Sequence, residues 1–244
     1  MIRVPRFIVI SGGEAGAFYV RQLRRAVAAG KLVTDRIVVV DRDRSCRVAA
    51  EPSDPVVRLE TAEWSDWLAA HLGHADPADH LVPYHWAPHL LLGWLEGELR
   101  RAGATVAHGG ALAPRGLPFE ATTSSGDRAL SYASWTCPAT CIEPAVCPHT
   151  RGVKDWSLAA DLESPTSDGV TPVVFRCMHL VYGVGTIPVR DVLAARDRLC
   201  ADAGARRSYL VATSSHCHAL ATRVEVSRGP TSGATQSSPE ITTP

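Results

Sequence analysis

The stretch from Phe7 to Asp41 constrains the fold more than any other part of the chain. Phe7-Ile8-Val9-Ile10 is a short apolar run rich in β-branched residues that stops at Ser11-Gly12-Gly13. Such a run is the mark of a strand buried on both faces. From Ala15 to Ala29 the apolar residues Phe18, Val20, Leu23 and Val27 recur at helical spacing beside Arg21, Arg24 and Arg25, and Gly30 supplies the stop. Arg36 to Val40 is a second buried-strand run that ends at Asp41. Strand, glycine turn, helix and strand in so short a span predict a βαβ unit, and with it a parallel sheet and a right-handed crossover.

Beyond this unit the pattern predicts helices over Trp64 to Leu72 and Trp86 to Ala102, the second ending at Gly103. Val106, Phe119 and Leu130 mark short strands in a region rich in Gly, Pro and Ser. Residues 135–156 form a Cys- and Pro-rich loop. A second alternating unit follows: Pro172 to Tyr182 as a strand, Thr186 as an N-cap with Pro188 early in a helix to about Ala203, and Arg207 to Thr213 as another strand. Ser227 to Pro244 has no aromatic residue and is expected to be a disordered tail. The expected architecture is α/β: one domain over residues 1–226 on a mostly parallel sheet, with a loop insertion at 135–156 and a tail at 227–244.

Composition narrows the function classes. The 244 residues carry 25 basic and 25 acidic side chains, and this balance removes the usual electrostatic case for nucleic acid or an anionic membrane as partner. The longest later apolar stretch, Val173 to Val189, is broken by Arg176, His179 and two glycines, so it predicts no membrane span. The run at Phe7–Ile10 is too brief for the apolar core of a signal peptide. The seven cysteines are therefore expected in a reducing, cytoplasmic setting, as thiols, metal ligands or redox groups rather than structural disulfides.

Ser11-Gly12-Gly13-Glu14-Ala15-Gly16 lies between the first strand and the first helix. Against the fingerprint G-x-G-x-x-G it matches at Gly13 and Gly16, with Ser11 where the first glycine is expected. Gly13 would let the backbone approach a pyrophosphate, Gly16 would let the helix pack closely on the strand, and the helix N-terminus offers free N–H groups. Asp41, 25 residues after Gly16, is placed to accept hydrogen bonds from an adenosine ribose. At these residues, and over residues 6–44 only, the chain resembles the Rossmann-type NAD- or FAD-binding domains, including the nucleotide-binding domains of potassium-uptake regulators. The resemblance implies a Rossmann-like sheet and a dinucleotide held by Ser11, Gly12, Gly13, Gly16 and Asp41. Arg42 and Arg44 could accept a 2′-phosphate, but Asp41 would repel one, which favours NAD or FAD over NADP.

Cys137, Cys141, Cys147 and His149 fall within thirteen residues, spaced C-x3-C-x5-C-x-H among prolines that keep the loop irregular. Thiolates bind soft metals, and Cys-Pro steps recur in iron–sulfur loops. The expected occupant is an iron–sulfur cluster, with structural zinc close behind, and His149 or Cys177 as fourth ligand; ligand-free thiols or a redox dithiol are the other readings. Cys177-Met178-His179 places a Cys and a His on one strand face, because the pleat repeats every two residues. His179 is the candidate for proton transfer, with His216 and His218 next. His85 and His89 are spaced i, i+4 but lack the glutamate of a zinc protease helix. These features predict an oxidoreductase or electron-transfer protein that binds a dinucleotide and serves a redox partner protein. The alternative is a non-enzymatic nucleotide sensor with a zinc-held loop.

Overall fold

A computed structural model describes residues 1–83, 89–110, 112–138, 141–164, 169–202 and 206–229. The first part of the chain runs β1 (Ile2–Arg3), β2 (Arg6–Ile10), α1 (Glu14–Ala28), β3 (Leu32–Val33), β4 (Arg36–Asp41), β5 (Val57–Thr61), α2 (Trp64–His71), β6 (His80–Val82) and α3 (Leu90–Arg101). The remainder runs β7 (Ala104–His108), β8 (Phe119–Thr122), β9 (Arg128–Ser131), α4 (Leu158–Glu163), β10 (Thr171–Arg176), β11 (Met178–Val181), β12 (Val184–Pro188), α5 (Val189–Asp202), β13 (Arg207–Ser214) and β14 (His218–Arg228). The predicted βαβ unit is present as β2, α1 and β4, with β2 and β4 parallel from Arg6↔Arg36 to Ile10↔Val40.

The protein is mixed α/β and carries two six-stranded sheets. The first has the order β11-β12-β6-β2-β4-β5. Its four strands β6, β2, β4 and β5 are parallel, and β12 and β11 are added antiparallel at one side. The second has the order β10-β13-β14-β9-β8, with β7 also on β14. There only β10 and β13 are parallel. The 11-residue β14 pairs with β13 on one side and with β9 and then β7 on the other.

The mostly parallel sheet expected from the sequence is therefore corrected to two mixed sheets, and the physical reason lies at Cys177. The apolar run Pro172–Tyr182 reads as one strand, but its first part pairs in the second sheet and its last part in the first. Cys177 is the single residue between them, and its N–H donates to Ser214 O at 2.8 Å. Thr186, expected to cap a helix, lies instead in β12 with its hydroxyl 2.9 Å from His80 Nδ1, and the helix begins at Val189. Ser227 and Arg228, expected to open a disordered tail, close β14 against Thr105 and Ala104. Residues 230–244 lie outside the described residues, as do Tyr84 to Pro88, which include His85.

The core forms in layers. On β2, Phe7 and Val9 face α1, packing on Ala17, Val20, Leu23 and Ala26. Ile8 and Ile10 face the other way, onto α2, α3 and α5. The same helices are covered from their opposite side by Val173 and Phe175 of β10, Tyr209 and Val211 of β13, and Val224 and Val226 of β14. Leu210, Ala212 and Ala221 on the outer face of the second sheet pack on Leu158 and Leu162 of α4. The layer formed by α2, α3 and α5 is thus shared by two sheets. Among the described residues no helix is long and apolar enough to cross a membrane.

Leu95, fully buried in α3 and part of that shared layer, tests this arrangement. Leu95→Ala should cost about 2–5 kcal/mol of stability, read by urea unfolding followed by tryptophan fluorescence. A loss within about 0.5 kcal/mol, the range of ordinary surface substitutions, would contradict the shared layer.

Candidate functional site

Where β2 ends, a cavity of about 920 Å³ opens between the two sheets. Ile10 and Tyr19 line it from the βαβ unit, and Leu68, Leu81 and Leu91 supply an apolar wall. Its other wall is polar and sulfur-rich: Cys137, Cys141, Cys147, Cys177, Cys217, His89, His179, His218, Glu143 and Lys154. Five of the seven cysteines thus face one space, although they come from the loop, the crossover between sheets and the turn before β14. The volume and the apolar lining with few polar groups are those of a small-molecule or cofactor site.

Glu143 organises the polar wall. It lies in the Cys/Pro loop at φ 47°, where among the described residues the only pairing is the isolated bridge Val146↔Val153. Its Oε1 accepts the Ser215 hydroxyl at 2.6 Å and the Cys217 N–H at 3.2 Å, and its Oε2 accepts the His216 N–H at 3.0 Å. Oε2 also stands 3.7 Å from His179 Nδ1. A carboxylate buried to this depth is stable only when its lone pairs are met, and the 215–217 turn meets them. Sequence reasoning missed Glu143 and Lys154. The available signal was that Glu143 is the only carboxylate between Cys137 and Lys154.

The histidines are held neutral. Burial pushes the His89 imidazole down to about 4, and its Nδ1 accepts the Leu92 N–H at 3.3 Å as the cap of α3. Burial also lowers His179 and His218, with Glu143 pulling each back up and Lys154 adding to the lowering. His218 Nδ1 is 3.0 Å from the Ser131 hydroxyl.

Among the thiols, burial and then Glu143 push Cys177 up to about 12. Burial raises Cys217, against the Trp156 indole N–H that acts on its sulfur. Cys137 is raised by burial and then by its neighbours Cys141 and Cys147. Cys147 moves the other way, lowered first by the Thr150 backbone N–H.

The sequence-derived metal ligands can be tested against this geometry. Among the described residues no group of three or more His, Cys, Asp or Glu side chains converges so as to hold a metal ion. Cys137, Cys141 and Cys147 do line one cavity, but the His149 ring lies flat on Trp135 at 4.4 Å and 10°. Residues 139 and 140, inside the expected binding loop, lie outside the described residues.

The glycine turn has its own geometry. Ser11 takes φ 80°, the left-handed conformation that a glycine would adopt freely. A Cβ on Gly16 would stand 1.8 Å from Ser11 O, so only glycine permits this approach of α1 to the strand. Gly13 is open: a Cβ there would meet only Ser11 Oγ, at 3.5 Å. It is also the N-cap of α1, and no side chain caps the helix. Asp41 is buried and turned into the loop, with Oδ2 accepting the Gly12 N–H at 2.6 Å and Oδ1 the Asp43 N–H at 2.9 Å. Cys46 covers Gly12, where a Cβ would lie 2.4 Å from its sulfur.

Residues 92–227 match the model of the AF_1314_C family, described as "Uncharacterized protein, C-terminal domain". The chain belongs to this family. No curated protein and no solved structure matches it. The matched residues include every strand of the second sheet and all five cavity cysteines, with Glu143, Lys154 and His179. They begin after the βαβ unit, inside α3.

Two predictions follow from the buried polar wall. Glu143→Ala leaves the 215–217 donors unmet and should cost about 3 kcal/mol in urea unfolding; a loss below about 0.5 kcal/mol would contradict the anchoring. Second, His89 binds a proton in the unfolded chain below its ordinary value of 6.5 but in the folded protein only near 4. Its contribution is therefore full above pH 6.5 and is lost as pH falls toward 4, by about 3 kcal/mol. Stability measured across that window should decline less steeply in His89→Asn than in the parent; equal slopes would rule this out.

Proposed function

We propose that the chain is an oxidoreductase that binds a dinucleotide, NAD or FAD, in a Rossmann-type N-terminal half and carries out its chemistry in the cysteine-lined cavity. The observation that carries this reading is the position of Ile10. It is the last residue of the central parallel strand, it leads directly into the glycine turn, and it also lines the cavity. The strand order β5-β4-β2-β6 follows the 3-2-1-4 order of dinucleotide-binding sheets, whose ligands bind outside the carboxyl ends of the strands.

The geometry of the glycine turn supports this reading. Gly13 is open and the first turn of α1 is uncapped, so the N–H groups of Glu14, Ala15 and Gly16 are available to a pyrophosphate. Ser11 and Gly16 fix the turn, and Gly12 is locked to Asp41. Each Asp41 oxygen keeps a second lone pair for a ribose hydroxyl. A bound nicotinamide or flavin ring supplies a hydride acceptor or donor. His179, neutral and directed by Glu143, is the group that would take or give the accompanying proton.

Isothermal titration with NAD and with FAD tests it. Micromolar binding of one of them is expected. Gly13→Ala, which the backbone accommodates, should weaken that binding about tenfold or more, roughly 1.4 kcal/mol, with the melting temperature unchanged. Absence of binding to both nucleotides would overturn the proposal, as would a Gly13→Ala variant that binds like the parent.

A further inference from the structure

On one side of the cavity a thiol, an imidazole and a carboxylate lie near one another around Gly185. Cys177 is the crossover residue between β10 and β11 and His179 is the second residue of β11; both lie against Gly185 of β12. A Cβ on Gly185 would stand 2.8 Å from Cys177 Sγ and 3.8 Å from His179 Nε2. The absence of a side chain there is what lets the sulfur and the ring nitrogen approach one point. The other face of the ring looks toward Glu143, with Nδ1 at 3.7 Å from Oε2. Glu143 cannot swing away, because three donors of the 215–217 turn hold it. Lys154 lines the same cavity as its cation.

We propose that Cys177 is a nucleophile toward aldehydes, with His179 as its base and Glu143 as the group that positions the imidazole. The sulfur bonds to the carbonyl carbon as His179 Nε2 takes the thiol proton. The C=O π bond opens onto oxygen, and His179 returns the proton there. The product is a hemithioacetal: S–H has added across C=O, and no electrons are gained or lost. A thiol needs a base at the moment of attack, and the imidazole beside Gly185 is the group placed to serve. Lys154 supplies positive charge for the developing oxyanion. The aldehyde class rests on the oxidoreductase reading, because a hemithioacetal carbon is a hydride donor. The thiol–imidazole pairing stands without it.

The test is the rate of alkylation of each cysteine in the full chain by iodoacetamide at pH 8, without nucleotide, followed by mass spectrometry. Cys200 on α5 does not line the cavity and serves as the internal reference. His179→Asn should slow alkylation of Cys177 by about tenfold or more, and Glu143→Gln should slow it in the same direction, with Cys200 unchanged in both. Excess propionaldehyde should protect Cys177 in the unaltered protein and leave Cys200 reactive. The pairing is overturned if Cys177 is unreactive in the parent or reacts at the same rate in both variants. If the pairing holds and propionaldehyde gives no protection, the aldehyde assignment is overturned while the dinucleotide reading is untouched. Because the aldehyde arm uses the unaltered protein, a variant that unfolds does not remove the test.

Discussion

The helical layer of α2, α3 and α5 is buried among apolar residues of two sheets, and the rest of the architecture follows from covering both of its sides. Leu91, Leu92, Trp94, Leu95 and Leu99 of α3 are all buried, with Val189, Val192 and Leu199 of α5 beside them. One sheet could cover only one side of that layer. The second sheet covers the other with Phe175, Tyr209, Val211, Val224 and Val226. A chain that builds two sheets on one helical layer must cross between them, and the shortest of its crossings is Cys177, between β10 and β11. The layer stops at His89, the cap of α3, and beyond that cap the facing sheets enclose the cavity.

The polar wall of the cavity is a balance struck around one carboxylate. The hydroxyl and backbone donors of residues 215–217 meet the oxygens of Glu143. Its charge then works against burial on His179 and His218, and Lys154 works with it. The loop that carries Glu143 is thereby fastened to the second sheet, and its cysteines face a shared space.

Much of the local structure was legible in the sequence because it rests on short-range signals. The β2–α1–β4 unit and the end of α3 follow from apolar period and glycine stops, whereas Cys177 and His179, expected on one strand, are split by the start of β11 and both lie against Gly185. The division into two sheets was not legible, since Pro172–Tyr182 is continuously apolar and only its pairing partners separate β10 from β11. β14 was missed for a related reason. His218–Arg228 mixes Ala, Thr, Arg and Glu, and its strand character comes from three partners distant in sequence. Glu143 was missed because a carboxylate among cysteines gives no spacing signal until the 215–217 turn comes to meet it.

The claim that joins these parts is that the glycine turn and the thiol cavity serve one ligand. The most direct measurement is alkylation of all seven cysteines by mass spectrometry, with and without saturating NAD or FAD. The account predicts that the bound nucleotide slows the cavity cysteines, Cys177 first, and leaves Cys200 unaffected. A nucleotide that binds and leaves every cavity cysteine as reactive as before would contradict it, and would separate the turn from the cavity.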